Sequence, residues 1–217
     1  MHKLVLMNSR APRPGEFEGK DYHFRNRSQI EALKADGRYV VLEVRGDLQA
    51  LDLREVDSLL RNGDALFEGN PFVARLLQTH PNLTEFNRLS IFLSPLSSEE
   101  IIYLKAPERN ISLNVFVTDV MRRKLLRRTR RQKGELSARD LEDIENRAVS
   151  AYRELQEAWQ FQYVIPNHDG EDSDHWEAFY FLIGDARRSF NAFVDLLNGT
   201  VPAGVEQWDR SLLSSEI

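Results

Sequence analysis

Two arginines near the start of the chain have the type and spacing to bind a phosphate group. Arg10 and Arg13 lie three residues apart in a segment stiffened by Pro12 and Pro14. Each guanidinium presents a planar fork of donors that matches phosphate oxygens, and the prolines lower the entropy cost of holding both forks in place. An alternative interpretation is an arginine- and proline-rich turn whose arginines pair with surface acids.

Two further side chains of this segment extend the predicted anion site. Glu16 can orient one arginine as a hydrogen-bonded partner, and Tyr22 can add a neutral hydroxyl donor. Together with the arginines they predict a pocket for a phosphate group.

A second concentration of arginines lies at residues 122–133, which carry eight basic side chains and no acid. The rest of the chain has 21 basic and 34 acidic side chains, so one cationic segment stands in an acidic surrounding. Such a segment faces an anion, and nucleotide phosphates, nucleic acid and the protein's own acidic surface all qualify. The simplest alternative is a solvated arginine-rich helix.

Composition excludes several classes of protein. The 217 residues, 25.2 kDa and 41% hydrophobic, are enough for one large domain with a buried core. The absence of cysteine excludes a disulfide scaffold, thiolate zinc sites and cysteine nucleophiles. Because no apolar run approaches the roughly 18 residues of a membrane helix and the N-terminus does not resemble a signal peptide, we expect a cytoplasmic protein without a membrane partner.

A fold must position these residues, and the chain alternates predicted strands and helices. This order favours an α/β fold in three layers, a mainly parallel sheet with flanking helices. Ligands of such sheets bind beyond the carboxyl ends of the strands, which directs attention to the loop after the first strand. Strands are predicted at 3–7, 21–24, 38–44, 64–68, 89–93 and 163–165, and helices at 29–35, 52–61, 72–78, after Ser97 or Ser98, and at 119–132, 137–159 and 185–198.

The segment Arg10–Phe24, with the pattern R-x-P-R-x-G-E-x-x-G-x-D-Y-x-F, resembles the GMP-binding signature of guanylate kinases, which have the P-loop NTPase fold. Further similarities continue with gaps to about residue 198. They are the strand and PPS-like segment at 89–101, the arginine-rich start of the family's LID at 127–131, its end at 144–147, and the stretch Y-V-I-P-N-H-D at 163–169.

The resemblance implies roles for particular residues in the transfer of a phosphoryl group from ATP to GMP. Arg10, Arg13 and Tyr22 would hold the monophosphate, with Glu16 and Asn70 completing the substrate site. Arg128, Arg131 and Arg147 are the implied catalytic LID arginines, and Asn167 lies near the implied adenine site. The implied domain covers 1–200, with a small GMP-binding lobe and return strands at 8–70 and LID-like helices at 119–160, followed by a tail at 201–217.

The sequence departs from the family at its front. Nothing in the chain matches the phosphate loop G-x-x-x-x-G-K-[ST], and only nine residues precede Arg10, whereas the family places that loop roughly 25 to 30 residues before the arginines. Val40 stands where the family has a glutamate, Gln49-Ala50-Leu51 replaces Y-G-[ST], and residues 105–126 resemble an insertion.

These departures leave three functional hypotheses. The first is a truncated or inactive kinase that binds GMP or another phosphorylated small ligand, with ATP and Mg²⁺ as cofactors only if a phosphate loop is supplied upstream. The second is a non-catalytic module that binds a phospho-ligand or a phosphorylated protein, like the guanylate kinase-like modules of scaffold proteins. RNA binding through residues 122–133 is the weakest, because the segment lacks interleaved aromatic residues.

An acidic loop at 167–175 contains residues that can bind metals. His168-Asp169 and the stretch Asp172-Ser173-Asp174-His175 combine imidazoles and carboxylates. Loops of this composition are usually solvated, and we predict no metal site.

Overall fold

The computed structural model describes residues 1–13, 15–170 and 173–214. Pro14, predicted to stiffen the arginine loop, and Asp172, predicted to belong to the acidic loop, lie outside these residues. The chain divides into two compact units, Met1–Asn87 and Arg88–Ile217.

The first unit contains a mixed four-stranded sheet in the order β3-β2-β5-β4 and a separate parallel pair, β1 with β6. In the larger sheet β2 and β3 are parallel, and β5 is antiparallel to both of its neighbours. The strands are β1 His2–Lys3, β2 Met7–Asn8, β3 His23–Phe24, β4 Tyr39–Val44, β5 Asp47–Asp52 and β6 Ala65–Leu66, and the helices are α1 Arg27–Ala32, α2 Leu53–Arg61 and α3 Pro71–Thr79.

The sequence patterns did not predict strand β5, and the strand predicted at 3–7 is two short strands, β1 and β2, which belong to different sheets. Strand β5 forms a hairpin with β4 through Arg45 and Gly46, whose φ angles are 53° and 86°. Two consecutive residues with positive φ make the tight turn that joins antiparallel strands. Because Arg-Gly is a weaker turn signal than Asn-Gly or Asp-Gly, the hairpin escaped prediction, and its pairing makes this sheet mixed.

Alternating side chains of β5 serve the two faces of the sheet. Leu48 and Ala50 pack with Ile30 of α1, whereas Leu51 joins a cluster with Val56 of α2. All five are at most 3% exposed. Period-two alternation therefore places one helix on one face and α2 on the other.

The second unit is built on the parallel pair β7 Ile91–Ser94 and β8 Tyr163–Pro166. Residues 201–214, predicted to be part of a tail, pack on this unit: Glu206 pairs antiparallel with Val164, and Trp208 and Leu213 are 7% and 4% exposed. Its helices are α4 Ser98–Lys105, α5 Leu113–Lys133, α6 Ala138–Leu155 and α7 Gly184–Leu197.

The long helices of this unit differ from the predicted ones at their ends. Helix α5 begins six residues before the predicted start, because Ser112 caps it and buried Leu113 and Val117 anchor its first turns. Part of the segment that resembled an insertion is therefore the start of α5. Helix α6 has the predicted cap, with Ser137 and Asp140 forming a capping box, but it ends at Leu155 and gives way to a 3-10 turn.

The cap of the first helix also differs from the prediction, because Asn26 rather than Ser28 caps α1. The Asn26 side chain accepts a hydrogen bond from the Gln29 amide, and the Gln29 side chain accepts one from the Asn26 amide. Throughout the described part of the chain, each helix is too short or too polar to cross a bilayer.

Gly184, the first residue of α7, has a left-handed backbone conformation that favours glycine. Its φ is +55°, and a Cβ there would lie 2.5 Å from Nδ1 of His175. We expect Gly184→Ala to lower the free energy of unfolding by about 2 kcal/mol, from backbone strain and the displaced imidazole. Urea unfolding measures this, with Gly204→Ala as the control, because Gly204 has a φ of +90° and open space around it. An equal loss in both variants would contradict the steric contribution of His175.

Candidate functional site

The loop between β2 and β3 contains a bidentate ion pair between Arg10 and Glu16. Nη1 and Nη2 of Arg10 donate to Oε2 and Oε1 of Glu16, each at 2.6 Å. The two side chains are only 12% and 19% exposed. Such fork-to-fork pairs fix the plane of the guanidinium as well as its position, so Glu16 orients Arg10 in the way the sequence suggested.

Aromatic rings enclose the Arg10 guanidinium on another side. Its Cζ lies 5.1 Å from the centre of the Tyr22 ring and 5.9 Å from that of Phe24. A ring face attracts a cation at this range. The structure therefore brings three of the predicted site residues, Arg10, Glu16 and Tyr22, into one cluster.

The backbone of Arg13 closes the turn around the same carboxylate. The Arg13 amide donates to Oε2 of Glu16 at 2.7 Å, and the Glu16 amide donates to the Arg13 carbonyl at 3.0 Å. Burial raises the pKa of Glu16, but the bonds from Arg10 and Arg13 and the charges of both guanidinium groups lower it further, and the net shift is downward. Glu16 is thus held ionised beside Arg10 and Arg13.

Strand contacts hold the start of this loop. Arg10 donates its amide to Oδ1 of Asn8, which is 1% exposed, and Ser9 exchanges hydrogen bonds with Leu48 of β5 through its amide and its hydroxyl. The unpredicted strand β5 is therefore one of the elements that position Arg10.

Glu18 fixes the far side of the loop, a role that sequence reasoning missed. Its carboxylate accepts hydrogen bonds from the Phe24 amide at 2.8 Å and from Arg25 at 2.9 Å. These bonds, the Phe24 amide first, lower its pKa to about 2. The sequence offered one signal for this role. Glu18 lies six residues before Phe24, the end of a predicted strand, and Arg25 follows directly.

Asn70, the other predicted substrate residue, caps α3. Its Oδ1 accepts a hydrogen bond from the Phe72 amide at 3.0 Å. Its Nδ2 is buried and has no hydrogen-bond partner within the described residues. The cap uses Oδ1 of this amide, and Nδ2 can donate a hydrogen bond to a ligand.

The basic run of α5 is paired with acids along much of its length. Arg122 makes two hydrogen bonds to Glu145 of α6, at 2.7 and 2.8 Å, and Arg123 pairs with Asp119 at 2.8 Å. Lys133 pairs with Asp140 at the start of α6. The sequence allowed three kinds of anion for this segment, and acidic side chains of the protein itself pair with these three cations.

The predicted LID arginines lie on α5 and α6. Arg128 and Arg147 are half-buried, whereas Arg131 is exposed and pairs with Asp174 at 2.9 Å and Glu177 at 3.1 Å. A shallow cavity of about 380 Å³ opens beside Arg131. Its lining residues are Arg127, Arg131, His168, Asp169, Ser173 and Asp174.

Asn167 connects this region to β8. Its Oδ1 accepts a hydrogen bond from the Asp169 amide at 3.2 Å, and its carbonyl accepts one from Nζ of Lys124 on α5 at 3.2 Å. Through these contacts Asn167 helps to hold the loop beside the cavity in position.

Histidine–carboxylate pairs brace the acidic loop. His168 contacts Asp185 at 2.6 Å and Glu100 at 2.9 Å, and His175 contacts Asp169 at 2.9 Å. Burial raises the pKa of Glu100, but the hydrogen bonds from His168 and Ser97 outweigh it and the net shift is downward. Within the described residues, no three such side chains are grouped closely enough to hold a metal ion.

The chain is thus an α/β protein with an arginine turn between β2 and β3 and an arginine-rich helix α5. The chain is 26% identical over 172 residues to the guanylate kinase of Wolinella succinogenes, and 29% identical over 168 residues to that of Alkalilimnicola ehrlichii. The first alignment covers 78% of this chain, the second covers 76%, and each covers 66% of the relative. The chain thus spans about two thirds of the length of these relatives.

A solved structure agrees with this relationship at the level of the fold. The crystal structure of guanylate kinase from Anaplasma phagocytophilum superposes with a TM-score of 0.50 at 20% identity, covering 99% of this chain and 84% of the other. No protein-family model matches the chain. These sequence relationships to guanylate kinases support the resemblance that the arginine signature suggested.

Proposed function

We propose that the chain binds GMP or a similar nucleoside monophosphate through the loop from Arg10 to Tyr22. The observation that carries the proposal is the Arg10–Glu16 pair, which holds one guanidinium in a fixed plane beside Tyr22. A donor held in place in advance binds an anion without the entropy cost of ordering it. The relationship to guanylate kinases supports a nucleotide as the ligand.

In this proposal the phosphate is held mainly by charge. Arg10 and Arg13 supply the two guanidinium groups, and the Tyr22 hydroxyl adds a neutral donor. Glu16 is an orienting residue rather than a phosphate ligand, because both of its oxygens accept hydrogen bonds from Arg10 and the Arg13 amide. Asn70 is proposed to donate its Nδ2 to the same ligand.

The side chains of β4 do not determine which base the bound nucleotide carries. Val40, at the position of the family's glutamate, packs in the core beneath α2 and α3, and Glu43 points to the other face and pairs with Arg27 of α1. A site discriminates between bases only where its polar partners are present. We therefore propose a nucleoside monophosphate site without strict selection for guanine.

For the chemistry, we propose that this chain does not transfer phosphoryl groups by itself. Its sequence contains no G-x-x-x-x-G-K-[ST] loop, the element that would hold ATP phosphates and Mg²⁺. Arg128, Arg131 and Arg147 keep the proposed role of neutralising phosphoryl oxygens, and Asn167 that of lining a nucleotide site. The second candidate function is that of a non-catalytic module whose ligand is a phosphopeptide or another phospho-ligand instead of a nucleotide, and the same missing motif is compatible with it.

Calorimetric titration of GMP tests the proposed site. We expect Arg13→Ala to weaken GMP binding by about 1.5–3 kcal/mol, the value of a hydrogen bond to a charged group. Arg61→Ala is the matched control, because it removes an exposed arginine of the same unit that pairs with Asp57. Equal affinities for wild type and Arg13→Ala would refute the site, and tighter binding of a phosphoserine peptide than of GMP would favour the second candidate.

A further inference from the structure

Asp174 of the acidic loop and Glu177, two residues beyond that loop, bind the Arg131 guanidinium in the way a phosphate would. Nη1 donates to Oδ1 of Asp174 at 2.9 Å, and Nη2 donates to Oε2 of Glu177 at 3.1 Å. The two oxygens belong to different residues, but they accept hydrogen bonds from the two Nη atoms of one guanidinium. Phosphate presents two oxygens to a guanidinium in the same manner.

Hydrogen bonds anchor the turn that carries Asp174 and Glu177. Asp169 accepts hydrogen bonds on Oδ2 from His175 at 2.9 Å and from the Ala186 amide of α7 at 2.8 Å. Trp176 donates its indole N–H to the Gly170 carbonyl at 2.6 Å. The turn that presents Asp174 and Glu177 is thereby tied to the loop after β8 and to the start of α7, so the contact with Arg131 is the part that can open.

The contact itself is exposed. The side chains of Asp174 and Glu177 are 83% and 76% exposed, and that of Arg131 is 47% exposed. Ion pairs in such surroundings are weak because water and salt screen them. A polyphosphate with several charges can therefore compete for Arg131, and the cavity of about 380 Å³ beside it gives the anion room.

We propose that Asp174 and Glu177 form an autoinhibitory contact, which neutralises Arg131 until a phosphate-bearing ligand displaces them. The proposal gives the acidic loop a function that neither a metal site nor a solvated surface supplies. It rests on the proposed role of Arg131 in binding phosphate and is independent of GMP binding at Arg10.

Inorganic tripolyphosphate is the probe, titrated calorimetrically at low, fixed ionic strength. We expect the double variant Asp174→Asn/Glu177→Gln to bind it about fivefold to twentyfold more tightly than wild type, since two exposed competitors are removed. Adding Arg131→Ala to that variant should abolish the gain. The matched control is Asp119→Asn/Glu145→Gln, which also removes two carboxylates that pair with α5, but from Arg122 and Arg123, and it should change affinity less than twofold.

The outcomes separate this proposal from the proposed function. An equal gain in both double variants would show a general effect of net charge and overturn the contact's specific role. Unchanged affinity in the Asp174/Glu177 variant, or absence of tripolyphosphate binding in every variant, would also overturn it. A parallel GMP titration of the same proteins reports on the Arg10 loop, so failure there would concern the proposed function alone.

Discussion

Mixed with ATP, Mg²⁺ and GMP, the 217-residue chain should form GDP at least about a thousandfold more slowly than the roughly 1–100 s⁻¹ typical of kinases. The reason is the missing G-x-x-x-x-G-K-[ST] motif, whose amides, lysine and hydroxyl bind phosphates and Mg²⁺. Phosphoryl transfer depends mainly on positioning and charge stabilisation. Loss of about 4 kcal/mol of that stabilisation corresponds to the thousandfold decrease.

A coupled assay of ADP formation measures this rate. The guanylate kinase of Wolinella succinogenes, which shares 26% identity with the chain, is the active reference under the same conditions. A rate for the chain within tenfold of that enzyme would contradict the prediction. It would mean that other groups of these 217 residues bind the triphosphate.

Local patterns predicted the arginine loop well because most of its contacts span few residues. Arg10 and Glu16 are six residues apart, and the turn between them is closed by a hydrogen bond from the Arg13 amide to the Glu16 carboxylate. Helix ends with strong caps were predicted for the same reason, as at Ser137 and at Ser97, one of the two candidates for the cap of α4. The position of the turn's donors is thus largely encoded within one short segment.

Long-range partners were not predictable from those patterns. Arg131 and Asp174 lie 43 residues apart, and Arg122 and Glu145 lie 23 apart. An arginine-rich helix looks the same in sequence whether acids of the fold or a ligand neutralise it. Only the packing of α5 on α6 and beside the acidic loop decides between these, and that packing assigned several of the cations to acids of the chain itself.

Replacing Arg10 should have a larger effect on nucleotide binding than replacing Arg13. We expect Arg10→Ala to weaken GMP binding by about 3 kcal/mol, the upper range of a hydrogen bond to a charged group. The variant removes a phosphate donor and also strips Glu16 of the partner that holds it at 2.6 Å. The carboxylate left behind then repels the incoming phosphate.

The second contribution can be isolated by removing the carboxylate in the same background. Adding Glu16→Gln to Arg10→Ala should restore about 1 kcal/mol of GMP binding, because the repulsion disappears while the missing donor stays missing. Glu16→Gln alone should weaken binding, since Arg10 then loses its charged partner and the fixed plane of its guanidinium. Calorimetry on the four proteins gives the coupling directly. If the double variant binds GMP no better than Arg10→Ala, Glu16 does not face the phosphate, and the loss comes from the missing donor alone.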